Sequence, residues 1–163
     1  MNWEVIIKWL PKLAQGATLT LELVAIAVIA GLLLAIPLGI ARSSKLWYVR
    51  ALPYGYIFFF RGTPLLVQLF LVYYGLAQFD AVREGPLWPI LRSPYWCAVI
   101  TMTLHTTAYI AEILRGAIQA VPPGEIEAAR ALGMSRAQAM LYIILPRAAR
   151  IGLPAYSTEV ILM

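Results

Sequence analysis

Between Leu23 and Ala41 the chain runs 19 residues without a charged or strongly polar side chain. That is close to the roughly 20 that a helix needs to cross the hydrocarbon core of a bilayer. Composition extends the constraint to the whole chain: 61% of its 163 residues are hydrophobic and only 13% are charged, against about 25% charged in an ordinary soluble domain. Such a chain is not a soluble globular domain. The expected fold is an all-α membrane protein, a polytopic transmembrane helix bundle forming one domain over 1–163.

The first span starts near Thr18. A second runs from Leu52 to Ala77, interrupted by Arg61-Gly62-Thr63-Pro64, after which Leu65 to Ala77 is apolar except for Gln68. A third runs from Tyr95 to Leu114, and a Pro/Gly-punctuated loop, Gln78 to Pro94, separates it from the second. The final stretch, Ile151 to Met163, has 13 residues with Glu159 inside. At about 1.5 Å per residue it reaches roughly 20 Å of a roughly 30 Å core, so it reads as the start of a fourth span. Met1 to Gln15 mixes Glu4, Lys8, Pro11 and Lys12 among bulky side chains, which is not the pattern of a cleaved leader. The aromatic groups Tyr54 to Phe60 and Tyr73-Tyr74 sit near span ends and read as interface anchors.

Lys and Arg near spans resist translocation and mark the cytoplasmic side. Arg42, Lys45 and Arg50 do so for the first link, and the stretch from Arg115 to Arg150 carries five Arg against two Glu. The N-terminus is then outside, with Lys8 and Lys12 opposing that assignment. The net charge of +5 reports this orientation rather than an affinity for nucleic acid, which is not expected as a partner. With Cys97 the only cysteine and no clustered His, no disulfide scaffold and no metal site is expected.

Pro122-Pro123-Gly124 ends the third helix, because proline lacks the donor that a helix interior needs. Glu125 to Leu132 then reads as a short helix, with Gly133 placed to close it in a left-handed conformation. Ser135 and Gln138 fit a reciprocal capping box for a second helix, expected to run until Pro146 stops it. The segment 119–150 is thus helix, glycine hinge, helix.

Here the sequence resembles the inner-membrane permease subunits of bacterial ATP-binding-cassette (ABC) importers, whose EAA signature is Glu-Ala-Ala, three residues, Gly, nine residues, then Ile-x-Leu-Pro. Glu127-Ala128-Ala129, Gly133 and Ile143-Ile144-Leu145-Pro146 match every fixed position. Upstream, Phe60 to Gln68 and Ala108 to Gly116 look like the branch that imports polar amino acids, most similar to permeases for histidine, arginine and ornithine, with glutamine and glutamate systems as the alternative. The resemblance implies about five spans in the complete bundle, of which three are complete here and a fourth begins, so the chain looks C-terminally truncated. It also implies that 119–150 is a coupling segment seated on a separate ATPase, with Glu127, Ala128, Ala129, Gly133, Ile143, Leu145 and Pro146 as the coupling residues. The implied partners are two ATPase subunits, a second permease chain identical or related to this one, a periplasmic amino-acid-binding protein and membrane lipid. The implied location is the bacterial inner membrane.

The chain has no GxxxxGK[ST] loop around its lysines, Lys8, Lys12 and Lys45. It is therefore expected to be a transport subunit with no catalytic residues and no cofactor, ATP being bound by the partner. An intramembrane enzyme built on His105 lacks any HExxH or GxSxG pattern. An ion-gradient-driven transporter explains buried charges but leaves the EAA spacing unexplained.

Ionisable side chains at bilayer depth are costly and are functional candidates by default. Thr101, His105, Ala108 and Glu112 step by four, three and four along the third span, a polar stripe with an apolar back face expected. Arg61, Thr63, His105, Tyr109 and Glu112 are the candidates for an amino-acid path, Arg61 toward a carboxylate and Glu112 toward a cationic group. Equally open at this stage, Arg61 and Glu112 pair as interhelical glue and His105 satisfies a neighbouring backbone.

Overall fold

The computed structural model of the chain describes the backbone of residues 3–162 and the side chains of residues 8–161. No strand occurs among the described residues. The leader reading of Met1 to Gln15 and the end of the Ile151 to Met163 stretch fall partly outside them.

Helix α1, Trp3–Arg42, continues the first apolar run well toward the N-terminus. At about 1.5 Å per residue, its 40 residues exceed the hydrocarbon thickness by a wide margin. Against it lies α6, Pro94–Gln119, which also packs on α2, Trp47–Gly62, and on α9, Leu145–Leu162, and so forms the centre of the bundle. The contact between α1 and α6 is made by small residues four apart. Ala27 and Ala35 are fully buried, a Cβ on Gly31 would lie 3.1 Å from Thr106, and a Cβ on Gly39 would lie 3.0 Å from the Ala111 carbonyl. Small residues on one face let helix backbones approach where lipid gives no hydrophobic push between helices.

The face of α6 toward α1 is not apolar as expected. It carries Thr103, Thr106 and Thr107, all buried, and the Thr107 hydroxyl donates to the Thr103 carbonyl at 2.6 Å. A hydroxyl bonded back onto its own helix is internally satisfied, so threonine fits where a larger side chain cannot.

Arg61-Gly62-Thr63-Pro64 breaks the second span more sharply than an interruption. Thr63 and Pro64 are both extended, and the helices on either side meet at 106°. After the break, α3 (Leu65–Phe70) passes through a π turn, Leu71–Gly75, and a 3₁₀ turn, Leu76–Gln78. Two one-turn helices, α4 (Asp80–Arg83) and α5 (Trp88–Leu91), occupy the following loop. Among the described residues, two helices are therefore long and apolar enough to cross a membrane, and the bent pair is the third candidate.

The segment 119–150 continues into α7, Pro123–Ala131. Its C-terminus closes as expected: Gly133 has φ +77°, its N–H bonds the Arg130 carbonyl at 2.9 Å, and the Met134 N–H bonds the Ala129 carbonyl at 3.1 Å. That pairing is a Schellman closure. Helix α8, Arg136–Ala139, starts at the Ser135 and Gln138 capping box. Pro146 does not stop this helix. A π turn over Met140–Ile144, with the Leu145 N–H bonded to the Met140 carbonyl, carries the chain directly into α9. The wider turn gives the proline ring the room that a regular turn denies it.

Candidate functional site

Positions 105, 109 and 112 share one face of α6 by helical spacing, and the bend after α2 brings Arg61 to the same place. Arg61, Tyr109 and Glu112 line one cavity of about 320 Å³ with Arg42, Tyr54, Ile57, Phe58 and Gly62. Both guanidinium groups lie over tyrosine rings, Arg42 at 4.8 Å from the Tyr54 centroid and Arg61 at 5.2 Å from that of Tyr109. Stacking of this kind holds the charge while leaving the edge donors free for an anion.

Glu112 is the acidic group of the cavity, and Arg61 is not its ion-pair partner. Its Oε1 accepts from Arg115 Nε at 2.8 Å and lies 2.6 Å from Nη2 in the same ion pair, and Arg115 in turn donates to Gln119 at 2.6 Å. Its Oε2 lies 3.9 Å from Arg42 Nε, beyond hydrogen-bond length, and both of these atoms are buried without a hydrogen-bond partner. The cavity thus holds two arginines against one carboxylate that a third arginine already half neutralises. On α9, Glu159 acts electrostatically on Arg61. The balance suits a ligand that brings a carboxylate, with room for one cationic donor at Glu112 Oε2.

Thr63 and His105 stand one layer away and are joined by Gln68, a side chain the sequence reading passed over. Gln68 Nε2 donates to the Phe60 carbonyl at 2.8 Å, the Thr63 carbonyl at 2.9 Å and Thr63 Oγ1 at 2.7 Å. Its Oε1 lies 3.1 Å from His105 Nδ1, and the His105 ring packs at a tilt against Tyr109, with centroids 4.7 Å apart. Thr101 is removed from the stripe. It is fully buried and donates to the Cys97 carbonyl at 2.7 Å. The aromatic groups also divide: Tyr54 serves Arg42, while Tyr56 is half-buried and donates to the Leu104 carbonyl at 2.6 Å, so neither is a simple interface anchor. Arg42 had a signal only as an orientation charge, and Gln68 only as the one polar side chain in an apolar run. A second cavity, about 410 Å³, lies among α1, α6 and α9 and is almost wholly apolar, lined by side chains such as Leu32, Ile113 and Leu153.

The residues expected to couple to an ATPase lie apart from the polar cavity, on 127–146, and only some of them are at the surface. Glu127 and Ala128 are exposed on α7, whereas Ala129 is only 3% exposed and turned inward, where it cannot meet a partner. Ile143 and Leu145 are half-buried and Pro146 is exposed. Beside them Leu132 is 81% exposed, with Leu141 and Tyr142 also open. The segment is tied to the bundle by Glu125 Oε1, 3.1 Å from Arg147 Nε on α9, and by Ile126 packed on the cluster of Ala117, Val121, Ile144 and Ala148.

Known proteins resemble the chain in sequence and in fold. The chain is 50% identical to the octopine transport system permease protein OccM of Rhizobium radiobacter, over 93% of this chain and 62% of that protein. It is 46% identical to the histidine/lysine/arginine/ornithine transport system permease protein HisM of Salmonella typhimurium, over 91% of this chain and 63% of that one. It therefore spans about three-fifths of the length of these curated relatives. A solved structure described as an amino acid ABC transporter with histidines superposes with TM-score 0.82 at 38% identity, covering all of this chain and 72% of the other. The model of the binding-protein-dependent transport system inner membrane component matches residues 11–162, and the chain belongs to that family.

Proposed function

We propose that this chain is the transmembrane permease subunit of an ATP-driven ABC importer that moves basic amino acids, such as arginine, ornithine and histidine, across the bacterial inner membrane. The observation that carries the reading is the segment 119–150. A complete EAA spacing folds into a helix, a left-handed glycine turn and a second helix, with Glu127, Ala128 and Leu132 exposed on it. That surface is shaped to seat in a groove of a separate ATPase. The Glu125 and Arg147 pair, with the continuous helix from α8 into α9, passes its movement into the bundle. Two ATPase subunits, a second permease chain and a periplasmic binding protein complete the assembly, with the N-terminus on the periplasmic side and ATP bound by the ATPase subunits.

The substrate path runs past Arg61, Tyr109 and Glu112, flanked by Thr63 and His105 and widened by Arg42. Arg42 and Arg61 receive the carboxylate, and Glu112 receives a cationic group. The name of the histidine/lysine/arginine/ornithine permease supports a basic substrate over glutamine or glutamate. Charge reversal at Arg61 tests the path: Arg61→Glu lowers arginine uptake at least tenfold while the assembled complex forms in normal amount. Uptake at the wild-type rate removes Arg61 from the path.

A further inference from the structure

Gln68 is 2% exposed at the bend between α2 and α3, and its hydrogen bonds determine which way its amide faces. Three oxygens surround Nε2: the carbonyls of Phe60 and Thr63, and Thr63 Oγ1. The Thr63 hydroxyl gives its own proton to the Phe59 carbonyl at 2.9 Å, so it meets Gln68 as an acceptor. A reversed amide would set Oε1 against three oxygens with no proton to offer, and burial makes such a mismatch costly. Oε1 therefore faces His105 Nδ1, 3.1 Å away.

An amide oxygen only accepts, so Nδ1 carries the proton and, in the neutral ring, Nε2 holds the lone pair. Nε2 has no partner among the described residues and is not one of the buried atoms left unsatisfied. Its ring packs at a tilt on Tyr109, and Tyr109 and Arg61, whose guanidinium lies over the Tyr109 ring, line the polar cavity that His105 flanks from one layer back.

We infer that Gln68 is a positioning residue that fixes His105 as the Nδ1–H tautomer, so that His105 presents a hydrogen-bond acceptor at Nε2 and selects substrates carrying a cationic N–H donor. An ammonium or guanidinium group donates to that lone pair, whereas a side-chain carboxylate meets it lone pair to lone pair. The selection step rests on the amino-acid path proposed above. The tautomer does not.

His105 is the only histidine among these 163 residues, and nitrogen NMR with labelled histidine in this chain alone, with the His105 signals assigned by their loss in His105→Gln, reads that ring in the assembled transporter. The expected spectrum has a protonated Nδ1 and an unprotonated Nε2, and adding arginine moves the Nε2 signal while adding glutamate does not. Gln68→Met removes the acceptor opposite Nδ1, sends the proton to Nε2, and raises KM for arginine and ornithine about tenfold with kcat changed less than twofold. A purely structural role would instead lower the amount of assembled transporter and leave the proton on Nδ1. A protonated Nε2 in the wild type overturns the inference. If arginine is imported while the Nε2 signal stays still, the selection role is overturned and the path stands. If the assembled wild type imports no basic amino acid, the path itself fails and the selection role fails with it.

Discussion

Among single residues, Gly133 has the most specific demand placed on it. Its φ of +77° lies in the left-handed region, where a β-branched side chain collides with its own backbone. Gly133→Val is expected to disturb the turn between α7 and α8 and lower the arginine imported per ATP hydrolysed several-fold, measured as paired uptake and phosphate release. Equal ratios in variant and wild type would remove the turn from coupling. Glu112 answers to charge rather than to backbone. It is the carboxylate that Arg42 and Arg115 share, so Glu112→Gln leaves two guanidinium groups in a largely buried site with no counter-charge. Removing one member of a buried pair costs about 3 kcal/mol. Thermal unfolding of the assembled complex in detergent is expected to show a clear drop in Tm for this variant. Gly133, Ser135 and Gln138 were legible in the sequence because their chemistry is local, a turn and a cap within four residues. The roles of Arg42 and Gln68 were not, because each depends on partners from another element that only the packed bundle supplies.

At the level of elements, the bundle depends on how closely α1 approaches α6. A Cβ on Gly39 would meet Leu114 Cδ2 at 2.9 Å and the Ala111 carbonyl at 3.0 Å, and that carbonyl belongs to helix backbone that cannot swing aside. Gly39→Leu is therefore expected to force the helices apart at a cost of about 1–3 kcal/mol, read as a lower Tm. Gly16→Ala on the same helix is the control, since nothing lies within 4 Å of that Cβ, and its Tm should stay at or slightly above the wild type. The positions of the spans were readable from apolar run length. The Ala27, Gly31, Ala35, Gly39 stripe carries the same period, yet it gains meaning only when Thr106 and Thr107 are found opposite. Pro146 misled for a physical reason. Proline forbids a regular turn but tolerates a π turn, and sequence spacing does not distinguish the two.

On the scale of the whole molecule, the polar cavity and the surface proposed to couple to an ATPase lie along α6 and the chain that follows it. Glu112 and Arg115 lie on α6 just before Gln119, where the segment that leads to Glu127 and Gly133 begins. On the proposed function, a shift of α7 reaches the bundle by two contacts, through the end of α6 and through Arg147 on α9. Arg147→Ala cuts the second route, and is expected to lower arginine-stimulated ATP hydrolysis while basal hydrolysis stays unchanged. No change in stimulation would assign transmission to α6 alone. The most direct measurement is labelled arginine uptake into proteoliposomes that hold the assembled transporter and its binding protein, with and without internal ATP and with and without an ion gradient. Uptake that requires ATP, ignores the gradient, and is competed by histidine and ornithine but not by glutamine is the expected result. Uptake that follows the gradient without ATP, or that glutamine alone competes, would contradict an ATP-driven basic amino-acid permease.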